Sequence, residues 1–245
     1  MISIVCINHG EEYGDEYTNN LYSMTARHLR QPFAFTCFTD RQRPLHPAIQ
    51  QHNIAHWGLS GWFNKLRLFD GNEMPFDSFL YLDITLIIKD SLDPLIDYAL
   101  NKPFVVQKDW SYDCFNSSVM WITRDPVNQS VWESFASGKK YRTRHHGDQD
   151  YINAVFRDRK LLDTVACFPN GWVQSYKRLR EVSAKSMVSA RLELAKAIIL
   201  KFHGHPKPHE LLLPKREFRK LRFRNPLMLC KDWSFLNDEI REWWR

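Results

Sequence analysis

Residues 79 to 88 read Phe79-Leu80-Tyr81-Leu82-Asp83-Ile84-Thr85-Leu86-Ile87-Ile88, an apolar run broken in its middle by one carboxylate and one hydroxyl. Such a run predicts a strand buried on both faces, as inside an α/β sheet. An ionised carboxylate is costly to bury there. Asp83 therefore either finds a hydrogen-bonding partner or stands at the strand's end facing a charged ligand.

Working outward, strands and helices alternate. Residues 2–7 and 33–39 predict strands around a helix over 15–29, a βαβ opening. A loop rich in Pro and His follows, then a short helix over 62–69 and the strand carrying Asp83. Beyond it, 94–100, 126–136 and 147–157 predict helices, and 104–107, 118–122 and 197–202 predict strands. Residues 181–196 read ambiguously, and neither a repeat nor a low-complexity tract is present.

At 245 residues with 44% hydrophobic content, the chain is long enough for one large α/β domain. The longest apolar stretches are too short and too interrupted for a spanning helix, and residues 1–7 lack a basic region and a cleavage-like site, so a cytoplasmic location is expected. The five cysteines, Cys6, Cys37, Cys114, Cys167 and Cys230, are scattered and never form a CxxC pair, which predicts reduced, mostly core thiols. The net charge of +6 suggests an anionic partner. It concentrates in Lys215, Arg216, Arg219, Lys220, Arg222 and Arg224, followed by Trp233, Phe235, Ile240, Trp243 and Trp244. This tail suits an anionic membrane surface, and equally a solvated basic face with its aromatics packed inward. Nucleic acid is not expected, for no zinc-finger, RNP or helix-turn-helix signature accompanies the charge.

In an open α/β sheet, ligands bind beyond the carboxyl ends of the strands. Asn8 and His9 follow the first strand, Asp83 and Thr85 the central one, Asn116 to Ser118 adjoin a later one and His203 ends the last. Neither GxGxxG nor GxxxxGK[ST] occurs, so a phosphate-bearing ligand would need cations or a metal.

Four blocks, in order, resemble glycosyltransferase family 8 and related GT-A enzymes. Leu80 to Thr85 is similar to their LYLDxD strand, with Lys65 and Leu66 upstream. Phe115 to Met120 resembles FNxGV, Asp148 to Asn153 resembles DQDxxN, and His203 to Pro208 resembles the terminal HxGxxKP block. The likeness spans residues 1–210. It implies a single GT-A domain there, a Rossmann-like mixed sheet flanked by helices, with 211–245 as a basic and aromatic extension.

The resemblance implies transfer of a hexose from a nucleotide-diphosphate donor, a UDP-sugar, to a saccharide or lipid-linked glycan, on the inner face of a membrane. Asp83, Thr85 and His203 would hold Mn2+ or Mg2+, and Lys207 would offset diphosphate charge. Asp148 and Asp150 would bind the donor sugar, and Gln149 would lie near the reacting carbon, compatible with a retaining transfer. Asn8, Tyr13, Lys65, Asn116 and Ser117 complete the implied donor site, and Asp40 would hold the base or cap a turn. The residues also have plainer readings. Asp83 serves as a strand-end cap, His203 as a hydrogen-bonded core imidazole, and Asp148 and Asp150 as charges at a helix N-terminus. Trp57, Trp62, Phe63 and Trp110 form a sugar platform or core packing, while His145 and His146, beside Arg142 and Arg144, form a basic loop.

Two departures stand out. Thr85 replaces the second DxD carboxylate with a poorer ligand for a hard cation. Either metal binding is weak, or Asp109 or Asp113 substitutes, or no metal is used. His203 and Lys207 are also closer together than in HxxGxxKPW. An alternative of another class is a catalytically silent sugar-nucleotide or glycan-binding protein.

Overall fold

The computed structural model describes residues 1–143, 147–213, 217 and 236–245. Within it the chain forms two compact units. Residues 144–146, including His145 and His146, and nearly all of the basic tail lie outside the described residues, as does Cys230.

The first unit comprises Met1–Asn19, Gln31–Ile84 and Asp93–Phe168. Its seven strands are β1 (Ile2–Ile7), β2 (Phe33–Thr39), β3 (Ile49–Asn53), β4 (Ser78–Leu82), β6 (Phe104–Lys108), β7 (Phe115–Thr123) and β8 (Ala166–Cys167), in the order β3-β2-β1-β4-β7-β6-β8. β1 runs parallel to β2 and β4, while β7 is antiparallel to both β4 and β6. β1 thus lies between the strand that follows it, β2, and the later β4, which makes its carboxyl end a topological switch point. The antiparallel pairing has a direct consequence. It sets the first residues of β7 against the carboxyl end of β4, with Leu82 opposite Val119 and the Asp83 amide donating to the Ser118 carbonyl at 2.9 Å.

Apolar side chains from these strands build the core with those of helix α4 (Asp148–Asp158) and a 3₁₀ segment, Gly61–Phe69. Phe104 stacks on Phe156 at 5.3 Å, and Trp57 and Phe63 join the same cluster. Between β7 and α4, helix α3 (Pro126–Ala136) starts as its sequence dictates. Asp125 accepts the Val127 amide at 2.8 Å, and Pro126 fills the first helical position.

The second unit comprises Asn20–Arg30, Thr85–Leu92 and Pro169–Arg245. Its sheet has the order β5-β10-β9, from β5 (Leu86–Ile88), β9 (Val173–Ser175) and β10 (Ile199–Lys201). The ambiguous stretch resolves into α5 (Tyr176–Ser183) and α6 (Met187–Lys196), opened by Ser175 and Ser186, whose hydroxyls accept from Arg178 and Ser189 amides.

The fold corrects several sequence expectations. Residues 79–88 are not one strand. β4 ends at Leu82, β5 starts at Leu86, and the two belong to different sheets. Asp83 to Thr85 is the break, because its polar side chains take partners of their own. β3 forms where only a loop was expected. Its sequence, Ile49-Gln-Gln-His-Asn, carries little apolar signal, and the strand is fixed instead by pairing to β2 and by Gln51, whose side chain both accepts from and donates to the Arg43 backbone. The helix over 62–69 is 3₁₀, and β7 begins at Phe115 rather than 118.

Candidate functional site

In the first unit, the carboxyl ends of β1 and β4, the start of β7 and the N-terminus of α4 gather most of the singled-out residues. At the centre is Lys65. Its ammonium lies 2.8 Å from Asp83 and 3.4 Å from Asp148, with the three side chains only 14%, 15% and 8% exposed. Asp83 also accepts the Tyr81 hydroxyl at 2.8 Å, a pairing made natural by the two-residue repeat of extended chain. Ser117 donates its hydroxyl to Asp148. The Asn116 amide spans Asp109 at 3.3 Å and Gln149 at 3.4 Å.

Burial works most strongly against the Lys65 charge, but attraction to Asp148 and then Asp83, with their hydrogen bonds, outweighs it and holds the ammonium well above the ordinary lysine range. Burial pushes the Tyr81 phenol up, and the Asp83 charge pushes it further. Lys65 thus stays charged and Tyr81 protonated at neutral pH. The question raised by the apolar run has an answer: Asp83 is compensated by a cation and a phenol.

A second cluster lies beyond β1 and β2. Asn8 is buried and donates to Thr18 at 3.0 Å, while its own Oδ1 is buried with no hydrogen-bond partner in the structure. Tyr13 packs its ring edgewise on Tyr17 at 4.9 Å. Sequence reasoning missed the organiser of this loop, Arg43, which is buried and donates to Thr39 at 2.8 Å, Asp15 at 2.9 Å and the Gly10 carbonyl at 2.7 Å. Gly10 adopts φ +67, and its amide donates to Asp40. Although burial works most strongly against the charge, the Gly10 amide and other backbone donors, followed by Arg43, keep the Asp40 carboxyl below its usual range. A buried arginine was the available signal, but nothing in the local pattern marks Arg43 as buried.

Asp148, Gln149 and Asp150 open α4, and both acids are buried at its positive end. Among the aromatics, Trp57 is core and donates to Glu73, and Phe63 stacks on Phe135. Trp62 is 64% exposed and lies beside Gly147, one residue before Asp148.

Thr85, His203 and Lys207 belong to the second unit. Thr85 and Lys201 are both buried, and the Lys201 ammonium lies 3.0 Å from the Thr85 hydroxyl. His203 follows β10. The Lys207 amide donates to Glu210 at 2.6 Å, and Glu210 also meets His205 at 2.8 Å.

These residues do not suit a divalent cation. Thr85 offers a neutral hydroxyl where a hard cation favours a carboxylate, and that oxygen already meets the Lys201 ammonium. Asp109 is already engaged by the Ser111 and Tyr112 amides and by Asn116, and Asp113 is 96% exposed. Among the described residues, no three His, Cys, Asp or Glu side chains gather as a metal group.

The fold itself is that of the GT-A glycosyltransferases, an α/β arrangement with a seven-stranded mixed sheet. An active-site mutant of LgtC superposes with TM-score 0.63 and 16% identity over 98% of this chain and 94% of that one. Galactosyltransferase LgtC with donor and acceptor sugar analogues gives TM-score 0.56 and 17% identity over 84% and 89%. The glycosyltransferase GlyE of Streptococcus pneumoniae TIGR4 gives 0.62 and 13% over 98% of this chain and 63% of its own. No family model matches the sequence, and no curated protein matches it either. No helix among the described residues is long and apolar enough to cross a membrane.

Proposed function

We propose that this chain is a glycosyltransferase that moves a hexose from a nucleotide-diphosphate sugar, a UDP-sugar, to a saccharide or lipid-linked glycan. The observation that carries the reading is the buried network of Lys65, Asp83, Asp148 and Ser117, with Asn116 and Gln149 beside it, at the switch point of a GT-A sheet. Its carboxylates are oriented by Lys65, Tyr81 and Ser117, as recognition of a hydroxyl-rich ligand requires, and its cation lies close to them. In this reading Asp148 and Asp150 accept donor-sugar hydroxyls, and Asn8 and Tyr13 meet the nucleotide. Asp83 and Lys65 steer the sugar and its phosphate, and Lys207 adds a cation for the diphosphate.

Gln149 presents an amide, a weak nucleophile. The reaction we propose is therefore a retaining one in which the leaving phosphate takes the acceptor's proton on the face it departs from. Residues 1–210 form the catalytic part, and the basic segment 215–224 favours an acceptor at an anionic membrane surface. In its favour are the composition of that segment and the acidic nature of such a surface.

The test is turnover. A panel of nucleotide sugars should include a donor whose nucleotide is released in the presence of acceptor, with release lost in Asp83→Ala and in Gln149→Ala. Tight nucleotide binding without release from any donor would instead favour the silent binder suggested by Thr85.

A further inference from the structure

In the first unit, the 3₁₀ segment Gly61–Phe69 sends its side chains in different directions. Phe63 packs on the core and stacks on Phe135 at 5.6 Å, and Lys65 reaches Asp83 and Asp148. Trp62 is instead 64% exposed. The start of the segment is anchored, for the Gly61 carbonyl accepts from the Asn64 amide at 3.1 Å and lies 3.1 Å from His9 Nε2, just after β1. The neighbour of the indole is Gly147, which precedes Asp148 at the start of α4. With φ −139, Gly147 has extended backbone that any residue adopts, so the turn does not demand glycine. Glycine also forgoes the side-chain cap that Ser or Asp would give the helix. A Cβ there would sit 3.7 Å from indole Cε3, and a longer side chain would have to share that space with the ring. Glycine therefore leaves the indole uncovered on this side, next to a residue of the carboxylate network.

We propose that Trp62 is the stacking platform for the acceptor, a pyranoside whose apolar ring face lies on the indole. This rests on the transfer reaction proposed above. A pyranose carries C–H groups on its ring faces, which pack on an aromatic surface, and hydroxyls at its rim, which suit carboxylates and amides. The acceptor rather than the donor is the occupant because the acids assigned to the donor, Asp148 and Asp150, are buried, whereas Trp62 faces the solvent from which the second substrate arrives. Contact with the acceptor alone makes Trp62 a binding residue for one substrate, with no part in holding the nucleotide.

The experiment measures nucleotide release from the donor that the parent chain uses, over a concentration series of methyl β-glucoside, methyl β-galactoside and methyl α-mannoside, and without glycoside. Trp62→Ala should raise KM for the preferred glycoside about tenfold or more at unchanged kcat, and Trp62→Tyr should recover most of that loss. Release without glycoside should not change. Leu192→Ala, which alters a similarly exposed apolar side chain of the second unit, should match the parent. Thermal melting of each variant separates lost folding from lost binding. An unchanged KM in folded Trp62→Ala overturns the inference, as does a fall in its release without glycoside, which would put the indole on the donor. It is overturned too if no glycoside accelerates release, or if Trp62→Ala loses binding to anionic phospholipid vesicles and keeps its KM, which would make the indole a membrane contact. If the parent releases no nucleotide from any donor, the transfer reading itself fails.

Discussion

Each unit buries a lysine, and the partners they are seen to meet differ. Lys65, in the first, lies between two carboxylates, while Lys201, in the second, has a hydroxyl at the same kind of distance. The difference lies in the chemistry of these contacts. Around Lys65 the cation, with the Tyr81 and Ser117 hydroxyls, fixes the geometry of Asp83 and Asp148. In the second unit the contact to Thr85 is instead to a neutral hydroxyl.

The sharpest way to break this comparison is to remove the cation from the first unit. Lys65→Met strands two buried carboxylates, and the expected loss of folding stability is about 3–5 kcal/mol, read from denaturant midpoints. Because the folded state holds the ammonium above its unfolded value, the stabilisation is complete below about pH 10.4 and fades as pH rises through the folded value. The penalty of Lys65→Met should therefore be constant from neutral pH to that limit and shrink in stronger alkali. A penalty that shrinks already near neutrality would show that Lys65 is not held in the charged form.

Gln149→Ala tests chemistry rather than structure. The Gln149 side chain meets Asn116 at 3.4 Å and the Cys114 sulfur at 4.0 Å, both long contacts, so melting should barely move. Turnover should fall about 100-fold with nucleotide affinity unchanged. Parallel losses of turnover and nucleotide affinity would place Gln149 in binding instead.

Ser117→Ala removes one donor to Asp148 while Lys65 remains. The expected cost is about 1–2 kcal/mol in stability. A cost equal to that of Lys65→Met would mean that the hydroxyl, not the ammonium, holds Asp148.

How much of this was legible beforehand differs between the two lysines. Periodic apolar runs gave β1, β2, the helix Asp15–His28 (α1) and α3, because their burial is periodic and local. Lys65, Asp83, Asn116, Ser117, Asp148 and Gln149 were singled out; the antiparallel β4–β7 pairing brings Asp83 to Asn116 and Ser117, while the 3₁₀ segment and the start of α4 add the others. Lys201 and Arg43 were not found. Each is buried by long-range register or loop packing, Lys201 by the β5–β10 pairing and Arg43 by bonds to residues as distant as Gly10. The break at Asp83 to Thr85 was hidden for the same reason. An apolar run reports burial, not which sheet buries it.

The smallest effect concerns Tyr13, at the end of the first unit proposed to meet the nucleotide, where ring packing is expected to outweigh charge. Burial, with a hydrogen bond and charge from Glu12, holds the Tyr13 phenol protonated well above its ordinary range. Tyr13 therefore brings no titration to the neutral region, and its contribution is the ring set on Tyr17 at 4.9 Å. Tyr13→Phe keeps that ring and loses only a neutral hydroxyl, so nucleotide affinity should change less than about threefold, with no change in its pH dependence. Tyr13→Ala removes the ring, and a drop of about tenfold is expected from losing an aromatic contact together with its buried area. Should Tyr13→Phe cost as much as Tyr13→Ala, the hydroxyl itself would be the contact, and the loop held by Arg43 would be positioning a hydrogen-bond donor rather than a packing surface.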